Sequence, residues 1–405
     1  MASTQTIDTT QSMPPWKDFA HTGPGALAGR YLRLFWQPVC RSADLVAGRA
    51  VPLKILSEDF TLYRGEENPH PSPLPEGEGT APLSTQHSAL NTAAAHALAF
   101  RCAHRGTQLS TGWVEGDDLR CFYHGWKYDG SGQCIEQPAE PEPFCQRIRI
   151  RSYPIQEYLG LIFVYFGDGE PPPLPRYPEF ENDDEIRENT VYVSWPCNFF
   201  NRIENAPDSV HVTFAHFQIG QKIPLMDARE TDYGVETRSS YPNGEVEVDH
   251  FHMPNLSQFQ IGVRGPDETQ GRDRLAWRVP VDDGHHMSFI VSQIHVSGAA
   301  AERYRERQRN RPQPDETVVP ALGEAVLAGE KHILDLLEHP NVVQVEDYVT
   351  LVAQGVIPDR QADHLGRSDV GVIEVRRLWE REMRALAEGR PLKEWVRPDH
   401  LEGRG

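Results

Sequence analysis

Two short cysteine–histidine pairs constrain this sequence more than any other feature. Cys102-Ala103-His104 is followed, after sixteen residues, by Cys121-Phe122-Tyr123-His124. Thiolate sulfur and imidazole nitrogen are the donors that bind iron–sulfur clusters and zinc. Gly106 and Gly125 follow the pairs closely, and glycine lets backbone N–H groups approach a bound cluster. The segment is therefore predicted to form two metal-binding loops.

The spacing of these pairs favours a [2Fe–2S] cluster over zinc. Zinc ribbons favour CxxC and HxxxH pairs, whereas the two halves here are CxH and CxxH. In a cluster, Cys102 and Cys121 would bind one iron and His104 and His124 the other. Neutral nitrogens in place of two anionic sulfurs raise the reduction potential into a range of about −150 to +300 mV. The chain is expected to carry single electrons, either as a carrier or as an enzyme.

Length, charge and cysteine content limit the classes of protein to which this chain can belong. A chain of 405 residues predicts two domains, and its net charge of −19 disfavours nucleic acid and anionic membranes as partners. Met1–Pro14 does not have the pattern of a signal peptide, and no apolar stretch approaches the length of a membrane span. The spacing of the six cysteines is not that of a secreted disulfide scaffold. A cytoplasmic protein is expected.

The hydrophobic pattern of the N-terminal half predicts a β-rich domain. Helix then strand is expected over about 24–46, with further strands at 51–56, 60–63, 148–150 and 159–166. The segment 66–97 is rich in Pro, Gly, Glu, Ser and Ala, which predicts a flexible surface insert whose histidines, at 70, 87 and 96, are exposed. The proline-rich stretch 167–178 is interpreted as a linker.

The C-terminal half predicts a mixed domain. A helical stretch is expected near 199–217, and a polar, Arg-rich connection at 302–311. Helical periodicity returns near 341–353 and 369–388. Alternating, aromatic-rich runs predict an antiparallel sheet from segments 244–253, 256–263, 275–281 and 286–295. The predicted division is an N-terminal helical segment (1–46) that packs on the catalytic domain, a cluster domain (47–170) and the catalytic domain (171–405).

A second metal site is predicted between Glu204 and His216. His211 and His216 are five residues apart, so a slightly unwound helical turn would let both rings converge on one point. Two histidines and one carboxylate form the facial triad of non-haem Fe(II) oxygenases. The alternative is that both are ordinary helix histidines, but the cluster motif upstream favours iron.

These motifs together resemble the Rieske non-haem iron oxygenases. Residues from Arg101 to Pro138 resemble the Rieske domain, and the stretch from Asp208 to His216 resembles the mononuclear-iron motif of the family. The segment from Gln344 to Asp369, together with Gly23–Val39, resembles the large (alpha) subunit of the phthalate-dioxygenase-like, homo-oligomeric subgroup. The resemblance covers nearly the whole chain except the insert.

The resemblance assigns roles to individual residues. It makes Asp347 the carboxylate ligand, eight positions before Gly355, with the adjacent Glu346 as the rival ligand. It makes Asp208 a bridge between an iron-bound histidine and a cluster histidine of a neighbouring subunit. An N-terminal cap of the helix is the alternative role for Asp208. Asn205 and Glu204 are weaker candidates near the iron.

The resemblance also implies a fold and a function. The fold is α+β: an all-β Rieske domain, then a catalytic domain whose antiparallel sheet is flanked by helices in a START/Bet v1-like helix-grip. The function is that of a terminal oxygenase component, which uses O₂ to hydroxylate, dihydroxylate or oxidatively demethylate an aromatic or related small organic substrate. Because the chain has no flavin or nicotinamide fingerprint, electrons must come from a separate NAD(P)H-dependent reductase, with or without a ferredoxin.

The expected assembly is a homotrimer or hexamer, in which one subunit's cluster would lie beside the iron of the next. Two alternatives remain at this point. A Rieske-type electron-transfer protein would need only the first domain, and a zinc-bound scaffold would need neither redox metal.

Overall fold

The computed structural model describes residues 14–66, 93–216, 222–262, 271–310, 315–398 and 401. The chain divides into one unit of Leu34–Leu174 and a second that joins the residues up to Arg33 to Pro175–Gly405. The first boundary thus lies at Arg33 instead of residue 46. The reason is that the segment after Arg33 forms a strand that pairs within the Leu34–Leu174 unit. Histidines 70 and 87 of the predicted insert lie outside the described residues.

The Leu34–Leu174 unit is built from β-strands. Its described residues contain no α-helix and three short 3-10 helices: Ser42–Asp44, Leu109–Thr111 and Cys145–Arg147. The strands are β1 Trp36–Arg41, β2 Arg49–Ile55, β3 Glu58–Arg64, β4 Ala95–Ala99, β5 Trp113–Glu115, β6 Asp118–Arg120, β7 Lys127–Tyr128, β8 Cys134–Glu136, β9 Ser152–Tyr153, β10 Ile155–Tyr158 and β11 Leu161–Tyr165. Every strand pair is antiparallel, in sheets of order β1-β11-β10, β2-β3-β4-β9 and β5-β6-β7-β8. The all-β prediction for this unit is confirmed.

Two expectations for this unit are wrong in detail. The insert ends before residue 95, because strand β4 pairs with β3. His96 is therefore not exposed on a loop: its Nε2 lies 2.7 Å from Asp117 Oδ1, and its ring stacks on Tyr63. The predicted strand 148–150 is reduced to a single bridge between Gln133 and Arg149. The residues before it form the 3-10 helix Cys145–Arg147, and Ile148 N–H donates to the Cys145 carbonyl.

The second unit combines seven strands with seven α-helices among its described residues. Four further 3-10 helices are Pro15–Lys17, Pro178–Phe180, Ile333–Leu336 and Arg367–Asp369. The strands are β12 Ile186–Trp195, β13 Leu225–Glu230, β14 Gly234–Ser240, β15 Val246–His252, β16 Leu256–Ile261, β17 Arg272–Asp282 and β18 His285–Ile294. The helices are α1 Leu27–Leu32, α2 Phe199–Asn205, α3 Val210–Ala215, α4 Gly298–Asn310, α5 Val318–Leu327, α6 Val342–Val352 and α7 Val370–Ala387.

One antiparallel sheet organises this unit, in the order β12-β18-β17-β16-β15-β14-β13. The four predicted runs are confirmed as β15 to β18, while β12, β13 and β14 were not predicted. The Arg-rich segment 302–311 falls largely in helix α4. The α+β prediction is confirmed.

Helix α7 packs on this sheet through one apolar face. Val375, Leu378, Trp379 and Met383 recur at helical spacing and are fully buried. The Trp379 indole donates a hydrogen bond to the Pro254 carbonyl at 3.0 Å. Within the described residues, no helix has both the length and the apolar character needed to cross a membrane.

Candidate metal centres

The two cysteine–histidine loops have the same backbone fold. In the first, Cys102 N–H donates to the Thr107 carbonyl and Gly106 N–H to the Cys102 carbonyl, at 2.8 and 2.9 Å. In the second, Cys121 N–H donates to the Trp126 carbonyl and Gly125 N–H to the Cys121 carbonyl, at 2.8 and 3.1 Å. Gly106 and Gly125 both have positive φ angles, +75° and +72°. Glycine is favoured there because this conformation strains other residues.

The four predicted ligands converge at the tips of these loops. The rings of His104 and His124 lie 4.4 Å apart, and His104 stacks on Trp126 at 4.5 Å. The His104 Nδ1 atom is buried and has no hydrogen-bond partner among the described residues. A buried nitrogen without a partner is costly unless a metal or another group satisfies it. Its environment therefore fits a metal ligand.

Cys102 and Cys121 are buried in the core of the same unit. The hydrogen bond between the two thiols lowers the pKa of Cys102 to about 6 and raises the pKa of Cys121. The Tyr128 hydroxyl lies 3.1 Å from the Cys102 sulfur, and backbone N–H groups of Tyr123 and His124 donate to Cys121. Such donors stabilise thiolates and tune a bound cluster.

The geometry of the four ligands does not suit a single zinc ion. Among the described residues, one set of three potential ligand atoms lies mutually within 4.8 Å, and it is not in these loops. Four donors around one zinc ion, at Zn–ligand distances of about 2.0–2.3 Å, would have formed such a set. Wider spacing is expected when two donors bind each iron of a two-iron cluster.

The set that does converge consists of His211, His216 and Asp347. The predicted helix 199–217 is broken between α2 and α3, where Pro207 removes a backbone donor. His211 lies in α3, whereas His216 follows its last turn with φ −110° and ψ 43°. This non-helical residue supplies the unwound turn that the five-residue spacing requires. Asp347 comes from the buried face of α6.

Asp208 contacts the start of helix α3. Its Oδ1 accepts hydrogen bonds from the N–H groups of Val210 and His211, at 3.0 and 3.3 Å. The side chain therefore does what an N-terminal cap does. Burial raises the pKa of Asp208 above its ordinary value. The distance from Asp208 Oδ2 to His211 Nδ1 is 3.9 Å.

Hydrogen bonds fix which nitrogen of each neutral histidine ring is unprotonated. The Nδ1 atom of His211 contacts the Asp208 carbonyl, and Nδ1 of His216 lies 2.8 Å from Glu346 Oε2. Both partners only accept hydrogen bonds, so each Nδ1 carries the proton. Each Nε2 then has a lone pair, and these atoms lie 3.9 and 3.3 Å from Asp347 Oδ1.

The two oxygens of Asp347 have different surroundings. Oδ2 lies 2.8 Å from Arg202 Nη1, whereas Oδ1 is buried without a hydrogen-bond partner among the described residues. Burial opposes ionisation of this carboxyl, but the charge of Arg202 and the neighbouring histidines keeps the Asp347 pKa well below its usual range. With neutral imidazoles, an anionic oxygen faces two nitrogen lone pairs, an arrangement that needs a bound cation or an added proton and matches a 2-His-1-carboxylate site. Burial opposes protonation of His216, but its contacts with Asp347 and Glu346 raise its pKa.

The remaining predicted residues surround this set. Glu346, the rival ligand, is turned to the far nitrogen of His216 and acts as its hydrogen-bond partner. Asn205 Nδ2 lies 3.1 Å from His211 Nε2, and its Oδ1 accepts from Arg202. Glu204 is instead held by Arg360 and Arg376.

Arg202 was not predicted from the sequence, since 145 positions separate it from Asp347 and no motif surrounds it. Arg278 was also missed. It is a buried cation in strand β17, inside the otherwise apolar run Leu275–Val281. That exception to the pattern is a signal that could have identified it.

Comparisons with known proteins show what the chain is similar to. Residues 35–154 match the family model of the Rieske [2Fe-2S] domain. The 5,5'-dehydrodivanillate O-demethylase oxygenase subunit of Sphingobium sp. is 27% identical over 93% of this chain and 82% of its own length. The phenoxybenzoate dioxygenase subunit alpha of Ectopseudomonas oleovorans is 29% identical over 90% of this chain and 84% of its own length.

Solved structures share the fold at lower identity. Dicamba monooxygenase bound to dicamba has a TM-score of 0.62 and 17% identity, over 89% of this chain and all of that chain. An oxygenase in complex with ferredoxin, from carbazole 1,9a-dioxygenase, has a TM-score of 0.60 and 20% identity, over 90% of this chain and 93% of that chain.

Proposed function

The chain is an oxygenase subunit of the Rieske non-haem iron oxygenase type, and on that premise we propose that it binds Fe(II) through His211, His216 and Asp347. The observation that carries this proposal is the convergence of two Nε2 lone pairs on the free oxygen of Asp347. Iron in such a site supplies the binding and reduction of O₂ beside an organic substrate. The protein is an oxidoreductase that incorporates oxygen.

The surrounding residues keep the three ligands in a binding geometry. The Asp208 carbonyl and the Glu346 carboxylate hold the protons at the Nδ1 atoms, which leaves both Nε2 atoms unprotonated in the neutral rings. Arg202 holds Asp347 Oδ2 and so orients Oδ1 toward the histidines. Hydrogen-bond partners of this kind orient metal ligands and raise the affinity of the site for its metal.

Cys102, His104, Cys121 and His124 are proposed to hold the [2Fe–2S] cluster that feeds electrons to this site. The electron source is proposed to be a separate NAD(P)H-dependent reductase, with or without a ferredoxin. Two observations support this: the sequence has no flavin or nicotinamide fingerprint, and a protein of the same fold forms a complex with ferredoxin. Phe122 and Tyr123 lie between the ligands of the second cluster loop, are more than half exposed, and are proposed to contact such a partner.

The reaction is proposed to be hydroxylation, dihydroxylation or oxidative demethylation of an aromatic or related small molecule. The names of the relatives include an O-demethylase and a dioxygenase. A pure electron-transfer protein is a poorer interpretation, because this chain aligns with more than four-fifths of the length of each of these oxygenase subunits.

The test of the function is substrate-dependent oxygen incorporation. We expect the protein, supplied with NADH, a Rieske-system reductase and ¹⁸O₂, to transfer the label to a member of a panel of aromatic acids and methoxy-aromatics. Formaldehyde release would mark demethylation. The proposal would be contradicted if the cluster were reduced normally but the protein showed no substrate-dependent oxygen uptake with any panel member.

Asp208 is proposed to connect the two metal sites across a homotrimer or hexamer. Asp208→Asn keeps a side-chain oxygen that can cap helix α3 but removes the charge. We expect this variant to retain both metals and to lose turnover by about 10–100-fold or more. Metal analysis, rapid-mixing reoxidation of the cluster and product formation would measure the effect.

Asp208→Ala serves as the matched variant, since it removes the cap as well. It should cost about 1 kcal/mol of stability in addition to the loss of turnover. If Asp208→Asn kept full turnover while Asp208→Ala only lowered the melting temperature, capping would be the whole role of this residue.

A further inference from the structure

Cys134 and Cys145 are two thiols of the Leu34–Leu174 unit that the proposed cluster does not use. Cys134 begins strand β8 and is 2% exposed, whereas Cys145 begins a 3-10 helix and is only partly buried. Neither belongs to a disulfide, and a hydrogen bond joins the two thiols. Two reduced thiols in contact are placed to form a disulfide when an oxidant reaches them.

The backbone holds the two cysteines side by side. The side-chain amide of Gln133 donates to the carbonyls of Cys134, Cys145 and Ile148, at 3.1, 2.8 and 3.0 Å. Cys134 N–H donates to the Ile148 carbonyl at 3.0 Å, and Ile148 N–H donates to the Cys145 carbonyl at 2.9 Å. Cys145 also packs against the hydrophobic core that contains Cys134. A hydrogen-bond network therefore fixes the position of one cysteine relative to the other.

The residues between the two cysteines, 135–144, form a loop that we call the cover segment. Its ends are close together, because Gln137 Oε1 accepts a hydrogen bond from Phe144 N–H at 2.7 Å. The Phe144 ring packs edge-on against Trp126, with ring centres 5.5 Å apart, and Trp126 stacks on His104. The cover segment therefore supports the indole that lies on a predicted cluster ligand.

The cover segment also contacts the second cluster loop. Glu136 Oε2 lies 2.8 Å from Arg120 Nη2, and Arg120 Nη1 donates to the Gly125 carbonyl at 2.8 Å. Pro138 lies so close to Gly125 that a Cβ atom on this glycine would be 2.9 Å from Pro138 Cγ. Movement of the cover segment would therefore uncover both loops.

We propose that hydrogen peroxide converts Cys134 and Cys145 into a reversible disulfide, which holds the cover segment against the two cluster loops. The bond would join the two ends of the segment and so restrict its local opening. Peroxide forms when electrons reduce O₂ without oxidation of a substrate. That source of peroxide rests on the proposed function, whereas formation of the disulfide does not.

The reaction requires no oxidant other than the peroxide. Cys145 reacts first, because it is the more accessible thiol and burial raises the pKa of Cys134. Its sulfur attacks one peroxide oxygen, the O–O bond breaks, and water leaves a sulfenic acid at Cys145. The Cys134 sulfur then attacks the Cys145 sulfur, the S–O bond breaks, and a second water leaves. Two thiols lose two electrons and two protons, and peroxide is reduced to two waters.

The first test treats the cluster-loaded protein with a small excess of hydrogen peroxide, alkylates the remaining thiols after unfolding, and maps the peptides by mass spectrometry. We expect a disulfide between Cys134 and Cys145 that dithiothreitol removes. Cys40 and Cys197 should remain open to alkylation. Cys40→Ser is the control, because it removes another thiol of the same unit and should leave the disulfide unchanged.

The second test measures how fast an iron chelator bleaches the visible absorption of the cluster. Diamide forms the disulfide here, so that peroxide does not attack the cluster itself. Oxidised wild type should lose its cluster at least about 3-fold more slowly than reduced wild type. Cys145→Ser should show no such difference, and Cys40→Ser should behave like wild type. Because Cys145 is only partly buried, its replacement by serine should leave the cluster spectrum before treatment intact.

Several results would overturn the proposal. One is that peroxide leaves both thiols open to alkylation, or oxidises Cys145 to a sulfinic acid without a bond to Cys134. Another is that the disulfide forms but the rate of cluster loss stays the same, or that Cys145→Ser keeps the full protection. The outcome is distinguishable from that of the proposed function: a protective disulfide in a protein that incorporates no oxygen would support this inference and contradict the oxygenase function alone.

Discussion

Asp347→Ala is expected to empty the mononuclear site while the cluster survives. The substitution removes the one anionic donor of the set and leaves Arg202 as an unpaired buried cation. Iron outside the cluster should fall from about one per chain to near zero, because a facial triad with two neutral donors holds Fe(II) poorly. Product formation should disappear with it. Iron and sulfide analysis, with the spectrum of the reduced cluster, would measure both effects.

Glu346→Gln is the matched control for this experiment. The neighbouring residue is equally buried and also acidic, but it contacts His216 Nδ1 and not the side where the three ligand atoms converge. Loss of its charge should weaken iron binding by about 10–100-fold without abolishing it. A result in which Glu346→Gln lost all mononuclear iron and Asp347→Ala kept it would exchange the two assignments.

Cys121→Ser is expected to abolish the cluster and leave the other metal in place. Cys121 is 2% exposed and packs in the core of the Leu34–Leu174 unit, so loss of the cluster should also destabilise that unit. The visible absorption and the signal of the reduced protein should vanish, and turnover with the reductase should stop. His211, His216 and Asp347 belong to the other unit and should still bind Fe(II).

Cys40→Ser controls for the removal of a thiol from the same unit. Cys40 lies in strand β1, opposite Ile162, and has no predicted role in metal binding. The variant should keep the cluster, its spectrum and turnover. A normal cluster in Cys121→Ser would remove this residue from the ligand set.

The sequence was most informative where the chemistry is encoded by local spacing. The two cysteine–histidine loops are each held by bonds within six residues, so their ligands could be predicted from the order of residues alone. The same is true of strands β15 to β18 and helix α7, whose apolar periodicity is regular. His211 and His216 also lie close in sequence, and the break after α3 satisfies the unwound turn that their spacing requires.

Features that depend on distant residues could not be predicted in the same way. Glu346 and Asp347 are adjacent, and only the packing of α6 decides which carboxylate faces the histidines. Arg202 reaches Asp347 from another helix, and no sequence pattern connects them. His96 was placed in the insert because its neighbours are alanines, but pairing with β3 makes this segment a strand. Tertiary pairing overrode local composition in that case.

Each chain is proposed to hold a two-iron cluster and a separate ferrous ion. Iron and acid-labile sulfide, measured per chain on anaerobically reconstituted protein and combined with electron paramagnetic resonance after dithionite reduction, test it most directly. About three irons, about two sulfides and the rhombic signal of a reduced Rieske cluster are expected. Bound zinc in place of iron, or a reduced protein without that signal, would contradict it.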